Sequence, residues 1–268
     1  MELNKTYCEN CVNTMAAMPD NFIDLTVTSP PYDGLRKYNG YSFDFETIAS
    51  ELFRVTARGG IVVWIVGDST INKSETGTSF KQALFFISLG FNLHDTMIYK
   101  KTSVTLNHNR YEQEFEYMFI LSKGKPKTFN PIMIPCIWFG KDSDRSLQRT
   151  GKHDEKAKAL RSDKQRTNIK SKKIKGNVWE YTVGFLNSTL DDIAFKHPAI
   201  FPEKLAADHI VSWSNEGDLI YDPFSGSGTT LKMAHIYKRQ WIGSEISPEY
   251  IEIQKKRLAP YLQQHSLF

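Results

Sequence analysis

The sequence predicts an α/β protein whose sheet is covered by helices on both faces, and three observations carry that expectation. Near-continuous apolar runs such as Ile61 to Val66 suit strands buried on both sides. Between such runs lie segments whose apolar residues recur three and four apart, the period of a helix with one buried face. Two abrupt breaks, Thr28-Ser29-Pro30-Pro31-Tyr32 and Asp222-Pro223-Phe224-Ser225-Gly226-Ser227-Gly228, each follow a strand. Strand ends are where open α/β sheets take their ligands.

In chain order, the first predicted strand, Phe22 to Thr28, stops at Pro30 and Pro31, which cannot donate ladder hydrogen bonds. Phe45, Ile48, Ala49, Leu52, Phe53 and Thr56 then share one helical face, with Gly59-Gly60 as the stop. Further strands are expected at Gly60 to Val66, Leu93 to Lys100, Glu116 to Leu121, Asp218 to Tyr221 and Gln240 to Glu245. Helices are expected from Ser79 to Leu89, Pro202 to Trp213 and Thr229 to Lys238. Ser247-Pro248-Glu249 opens a terminal helix, with Ser as cap and Pro in the first turn. Regular periodicity fades from Lys123 to Asn177, as in an insertion with its own task.

A chain of 268 residues can bury a full core as one large domain, or as one domain with a substantial insertion. No apolar run is long enough to span a membrane, and the N-terminus lacks a secretory pattern, so the expected address is the cytoplasm. Three cysteines argue against a disulfide framework. Cys8 and Cys11 have metal-ligand spacing, but with only Cys136 to join them no metal is expected. The net charge of +4 conceals a concentration: thirteen basic and five acidic residues lie between Lys141 and Lys175, leaving −4 for the remainder. Such a segment is either a solvated loop or a surface for phosphates.

The second break has chemistry of its own. Gly226 and Gly228 allow a tight turn and close approach of a ligand, and the helix behind them favours a negative group. This is neither the six-residue dinucleotide fingerprint, since Leu231 stands at the third glycine position, nor a phosphate-binding loop with its Lys. No Gly-x-Ser-x-Gly elbow surrounds Ser225 or Ser227. The next strand ends at Glu245, where nucleotide-binding sheets hold ribose hydroxyls. Loop and carboxylate together indicate an adenosine-containing cofactor; an ordinary turn and a surface Glu are the alternative.

Ser29-Pro30-Pro31-Tyr32 with Asp222-Pro223-Phe224-x-Gly226-x-Gly228-Thr229-Thr230 resembles the amino-methylating DNA methyltransferases of the beta subclass. Lys196-His197-Pro198-Ala199-x-Phe201-Pro202, Glu114-Phe115-Glu116-Tyr117 and Ser122-Lys123-Gly124 extend the likeness over nearly the whole chain. Asn10-Cys11 departs from the Asp-Cys of many members. The resemblance implies a Rossmann-like, circularly permuted sheet dependent on S-adenosylmethionine, in three parts. These are a catalytic half (1–124), an inserted basic target-recognition region (125–178) and a cofactor-binding half (179–268).

It further implies that Ser29 and the Pro30 carbonyl accept the hydrogens of an exocyclic amine, that Pro31 stiffens the loop, and that Tyr32 stacks on a base rotated out of the duplex. Phe224, Gly226 and Gly228 would cradle the methionine part of the cofactor, with Asp222 beside them. Thr229 and Thr230 would meet its carboxylate, Glu245 would hold the ribose, and His197 would shape the pocket. Asp68 could face the site. Arg36, Lys170, Lys172 and Lys173 would contact DNA. Ser29 favours N4 of cytosine as the target, with N6 of adenine second and a catalytically silent DNA-binding protein third. The implied partners are duplex DNA and a cognate restriction endonuclease, the protein acting as monomer or homodimer.

Overall fold

The structure is a computed structural model that describes residues 1–31, 43–102, 111–137, 139, 170–184, 186–197 and 200–264. Tyr32 and Arg36, and most of the basic run from Lys141 onward, lie outside the described residues. The chain forms two compact units, one of Met1–Asn130 with Asn177–Phe268 and one of Pro131–Gly176.

The larger unit opens with β1 (Lys5–Tyr7) and α1 (Cys11–Ala16), neither expected from sequence because each is too short to establish a period. Asn10 caps α1, its side chain accepting from the Val12 amide at 2.9 Å. An Asp would do the same there, so the departure from Asp-Cys preserves the cap. Strand β2 (Ile23–Thr28) is buried apart from the half-buried Asp24. Helix α2 (Phe45–Val55) is capped by Asp44 and buries Ile48, Ala49, Leu52 and Val55, as its spacing predicts.

Gly59 and Gly60 do not follow the helix as a free stop. They lie inside β3 (Thr56–Val66), where neighbouring chains crowd the backbone. A Cβ at Gly60 would come within 2.9 Å of the Ala57 carbonyl and 3.0 Å of the Asp24 carbonyl. A two-residue ladder, β4 (Thr70–Ile71) with β5 (Ser74–Glu75), precedes α3 (Thr78–Ser88). Asp68, a candidate for the site, instead holds this helix start: its carboxylate accepts from the Ser79 amide at 2.9 Å and from the Ser79 hydroxyl.

Strands β6 (Asn92–Lys101) and β7 (Phe115–Ser122) form a long antiparallel pair. The smaller unit contributes β8 (Met133–Pro135) and β9 (Lys172–Ile174), paired antiparallel within a region read as irregular. The larger unit resumes with β10 (Val178–Tyr181), a 3-10 turn over Asp192–Lys196, α4 (Glu203–Trp213), β11 (Leu219–Asp222), α5 (Thr229–Ile236), β12 (Gln240–Ser244) and α6 (Pro248–Gln264).

Its eight-stranded sheet runs β1-β12-β11-β2-β3-β7-β6-β10, with β7 antiparallel to both neighbours and every other pairing parallel. Strands β11 and β2, almost two hundred positions apart in the chain, are neighbours, with Tyr221 opposite Thr26. The two sequence breaks therefore emerge side by side from one edge of the sheet. Trp64, Phe86, Met15 and Tyr221 are among the fully buried side chains of the core. Among the described residues no helix is long and apolar enough to cross a membrane.

Candidate active site

A cavity of about 610 Å³ lies at that edge, bounded by residues that follow β2 and by residues that end β11 and β12. Ser29, Pro30, Pro31, His197, Asp222, Phe224, Gly226, Thr229, Thr230 and Glu245 all border it. Of the sequence-derived residues, Gly228 sits in the loop behind, while Lys170, Lys172 and Lys173 are exposed on the smaller unit.

The glycine loop is held from several directions. Gly226 has φ +48° and Gly228 has φ +82°, left-handed values that tolerate few side chains. A Cβ on Gly226 would meet His197 Nε2 at 2.9 Å, so the imidazole packs against the bare glycine, backed by Tyr250 with ring centroids 4.3 Å apart. The Gly226 amide donates to Glu245 Oε2 and the Ser247 amide to Glu245 Oε1, both at 2.9 Å. Glu245 thus secures the loop with one lone pair on each oxygen and keeps acceptor capacity toward the cavity.

Gln254 of α6 donates to the Gly226 carbonyl at 2.7 Å, and Arg257 reaches the Ser227 carbonyl at 3.1 Å and Thr229 Oγ1 at 2.9 Å. The buried Arg257 also pairs with Asp191 and Glu203, which share Lys232 of α5. Sequence reasoning missed this four-charge assembly because its members lie far apart in the chain and carry no motif. The hydroxyls of Thr229 and Thr230 are engaged too, the latter donating to the Val27 carbonyl at 3.2 Å.

Two hydrogen bonds couple the two breaks. Thr28, one residue before Ser29, donates its hydroxyl to Asp222 Oδ1 at 2.7 Å, and the Phe224 amide donates to the same oxygen at 3.1 Å. Phe224 packs edge-on against Phe43 and Trp64. Cys11 also borders the cavity, but burial pushes its thiol up to about 12, so it is not the thiolate a metal or an electrophile would need.

Burial pushes the Asp222 carboxyl up to about 6 despite its hydrogen bonds, and raises Glu245 for the same reason. A carboxylate with a raised folded-state pKa binds protons more tightly folded than unfolded, so its ionisation costs stability progressively between about pH 4 and pH 6, and fully above. From 3.8 to about 6 the penalty is roughly 3 kcal/mol at most. Asp222→Asn, which keeps an acceptor for Thr28 and Phe224, is therefore expected to stabilise the cofactor-free protein at pH 7.5. The gain should shrink toward pH 4, as urea unfolding at several pH values would measure; an unchanged or lowered midpoint at pH 7.5 would contradict it.

These features suit S-adenosylmethionine. Two buried carboxylates offer partners for a cationic amino acid and for ribose hydroxyls, the glycines leave room for a close-lying chain, and the start of α5 favours a carboxylate.

The model of the N6/N4 DNA methylase family matches residues 23–256, and the chain belongs to that family. It is 57% identical over 249 residues, 92% of each chain, to the orphan methyltransferase M.BamHII of Bacillus amyloliquefaciens. Among solved structures, the TTHA0409 DNA modification methylase of Thermus thermophilus, complexed with S-adenosyl-L-methionine, aligns with a TM-score of 0.63 at 23% identity, over 96% of this chain and 93% of that one. The PvuII DNA methyltransferase (cytosine-N4-specific) aligns at 0.69 with 18% identity, over 97% and 91%. At such identities the likeness is one of fold, and the fold is the one these methyltransferases share.

Proposed function

We propose that the protein transfers the methyl group of S-adenosylmethionine to the N4 amine of cytosine in duplex DNA. The observation that carries this reading is one cavity bordered by both Ser29-Pro30 and the Asp222 to Thr230 loop, tied together through Thr28 and Asp222. When bound, the cofactor supplies an electrophilic methyl on a sulfonium sulfur. Asp222 and Glu245 hold its polar parts, and Phe224 excludes water. An exocyclic amine is a poor nucleophile while its lone pair is conjugated with the ring, so Ser29 Oγ and the Pro30 carbonyl hold its hydrogens and direct the lone pair toward the methyl group. The prolines fix φ, so these acceptors are in place before the base arrives.

Cytosine is preferred because position 29 is Ser. The test is to incubate the protein with methyl-labelled S-adenosylmethionine and unmethylated bacterial DNA, digest to nucleosides and identify the labelled base. N4-methylcytosine is expected. N6-methyladenine alone would overturn the base assignment but keep amino-methyl transfer, and no label would favour a silent DNA-binding protein.

The chain order, with catalytic strand β2 before cofactor strand β11 although the two are neighbours, supports a circularly permuted sheet. The basic unit within Pro131–Gly176 is the proposed target-recognition region, contacting phosphates through Lys170, Lys172 and Lys173. Replacing these three lysines by Gln should weaken DNA binding and flatten its salt dependence by up to about three counterions. An unchanged slope in salt-dependent titrations would assign the lysines to a solvated surface.

A further inference from the structure

Strand order divides the cavity into two ends of different chemistry. On one side of β2 lie β11 and β12 with Asp222 and Glu245; on the other lie β7 and β6. From that second side the cavity is bordered by Tyr99 and Lys101, at the end of β6, and by Glu116, at the start of β7. None of the three has a part in holding the cofactor.

Their arrangement is specific. Glu116 stands opposite Tyr99 in the ladder, and Lys101 reaches it diagonally as an ion pair. The Lys101 ammonium also lies 5.9 Å from the Tyr99 ring centroid. Tyr99 itself is buried and packs against Tyr181. An ion pair with side chains only 26% and 14% exposed costs desolvation that largely offsets its mutual attraction, and the β6–β7 ladder already joins the strands over most of their length. The pair is thus poorly accounted for as a staple. An ammonium has three N–H donors, and Glu116 with Tyr99 orients the group while leaving donors for a ligand.

We propose that Lys101, positioned by Glu116, donates a hydrogen bond to the ring nitrogen adjacent to the target amine, an inference that rests on the amino-methyl transfer proposed above. In cytosine this is N3 and in adenine N1, both acceptors. In thymine and guanine the corresponding nitrogen carries a hydrogen and adjoins a carbonyl. Ser29 and Pro30 present acceptors where those bases present a carbonyl, and Lys101 presents a donor where they present N–H. The two ends of the amide-like edge are therefore checked separately, and both checks favour an amino base over a keto base. Glu116 neutralises the ammonium, so the cationic cofactor is not repelled from the same cavity.

The test uses the full-length protein and a duplex containing its mapped site, with the target as cytosine or as 3-deazacytosine, which replaces N3 by C–H. If the labelled base is adenine, 1-deazaadenine takes its place. Single-turnover rates are compared for wild type, Lys101→Met and Lys101→Arg, with cofactor affinity of each measured by calorimetry. Wild type should discriminate between the two targets by at least tenfold more than Lys101→Met does, because the variant has already lost the contact that the analogue removes; comparing ratios cancels the analogue's intrinsic effect on flipping and nucleophilicity. Lys101→Arg, which keeps a donor, should retain part of the discrimination. Losses that simply multiply would overturn the contact. Should Lys101→Met fail to bind cofactor, the Lys101→Arg comparison decides: discrimination unchanged in sign supports the contact, and its absence overturns it. No transfer by wild type to the natural site would overturn amino-methyl transfer itself.

Discussion

Gly226→Val is expected to abolish S-adenosylmethionine binding while leaving the sheet folded. Gly226 has φ +48°, a region that costs an L-residue about 1–2 kcal/mol and a β-branched one more. Its Cβ would also lie 2.9 Å from His197 Nε2 and 3.1 Å from Cε1. The imidazole cannot simply withdraw, because Tyr250 packs against its ring. Relief must come from the loop, and moving the loop disturbs the Gly226 amide on Glu245 and the Gly226 carbonyl on Gln254. The cradle is then misshapen at the residues that should meet the cofactor. Calorimetry should show no binding at concentrations that saturate the wild type, with far-ultraviolet circular dichroism preserved. Gly226→Ala, with the same φ strain but less bulk, should bind weakly. Wild-type affinity in the Val variant would remove the loop from the cofactor site.

The loop could be read from sequence because its demands are local. A glycine at positive φ, a strand before and a helix after leave marks within ten residues, and Glu245 announces itself at the end of the following strand. What secures the loop could not be read in this way. Arg257 and Gln254 sit on a helix whose pattern specifies only a buried face, and their partners Asp191, Glu203 and Thr6 are brought to them by the topology. Asp68 shows the converse: a carboxylate after a strand looks like a site residue, yet the start of α3 has orphan amides and takes it as a cap. Gly59 and Gly60 similarly read as a helix stop, although close passage of other backbone inside β3 is what requires them small. Strands β1 and β10 escaped because three and four residues establish no alternation.

Ser29→Ala should cut turnover by about 10²–10³ while leaving cofactor affinity and stability nearly unchanged, the scale seen when one preorganised hydrogen-bonding group of an active site is removed. The residues that fix the loop's position are not Ser29 itself. Thr28 holds Asp222, Thr230 holds the Val27 carbonyl, and two prolines follow, so the backbone at position 29 is anchored on both sides without its hydroxyl. What the variant loses is an acceptor for one amine hydrogen, and with it half of the arrangement that turns the lone pair toward the methyl group. The loss should therefore fall on the single-turnover rate and not on the affinity for S-adenosylmethionine or for DNA. A weakened cofactor affinity with an unchanged rate would instead mean that Ser29 shapes the pocket, and full activity would mean that the Pro30 carbonyl alone suffices to orient the amine.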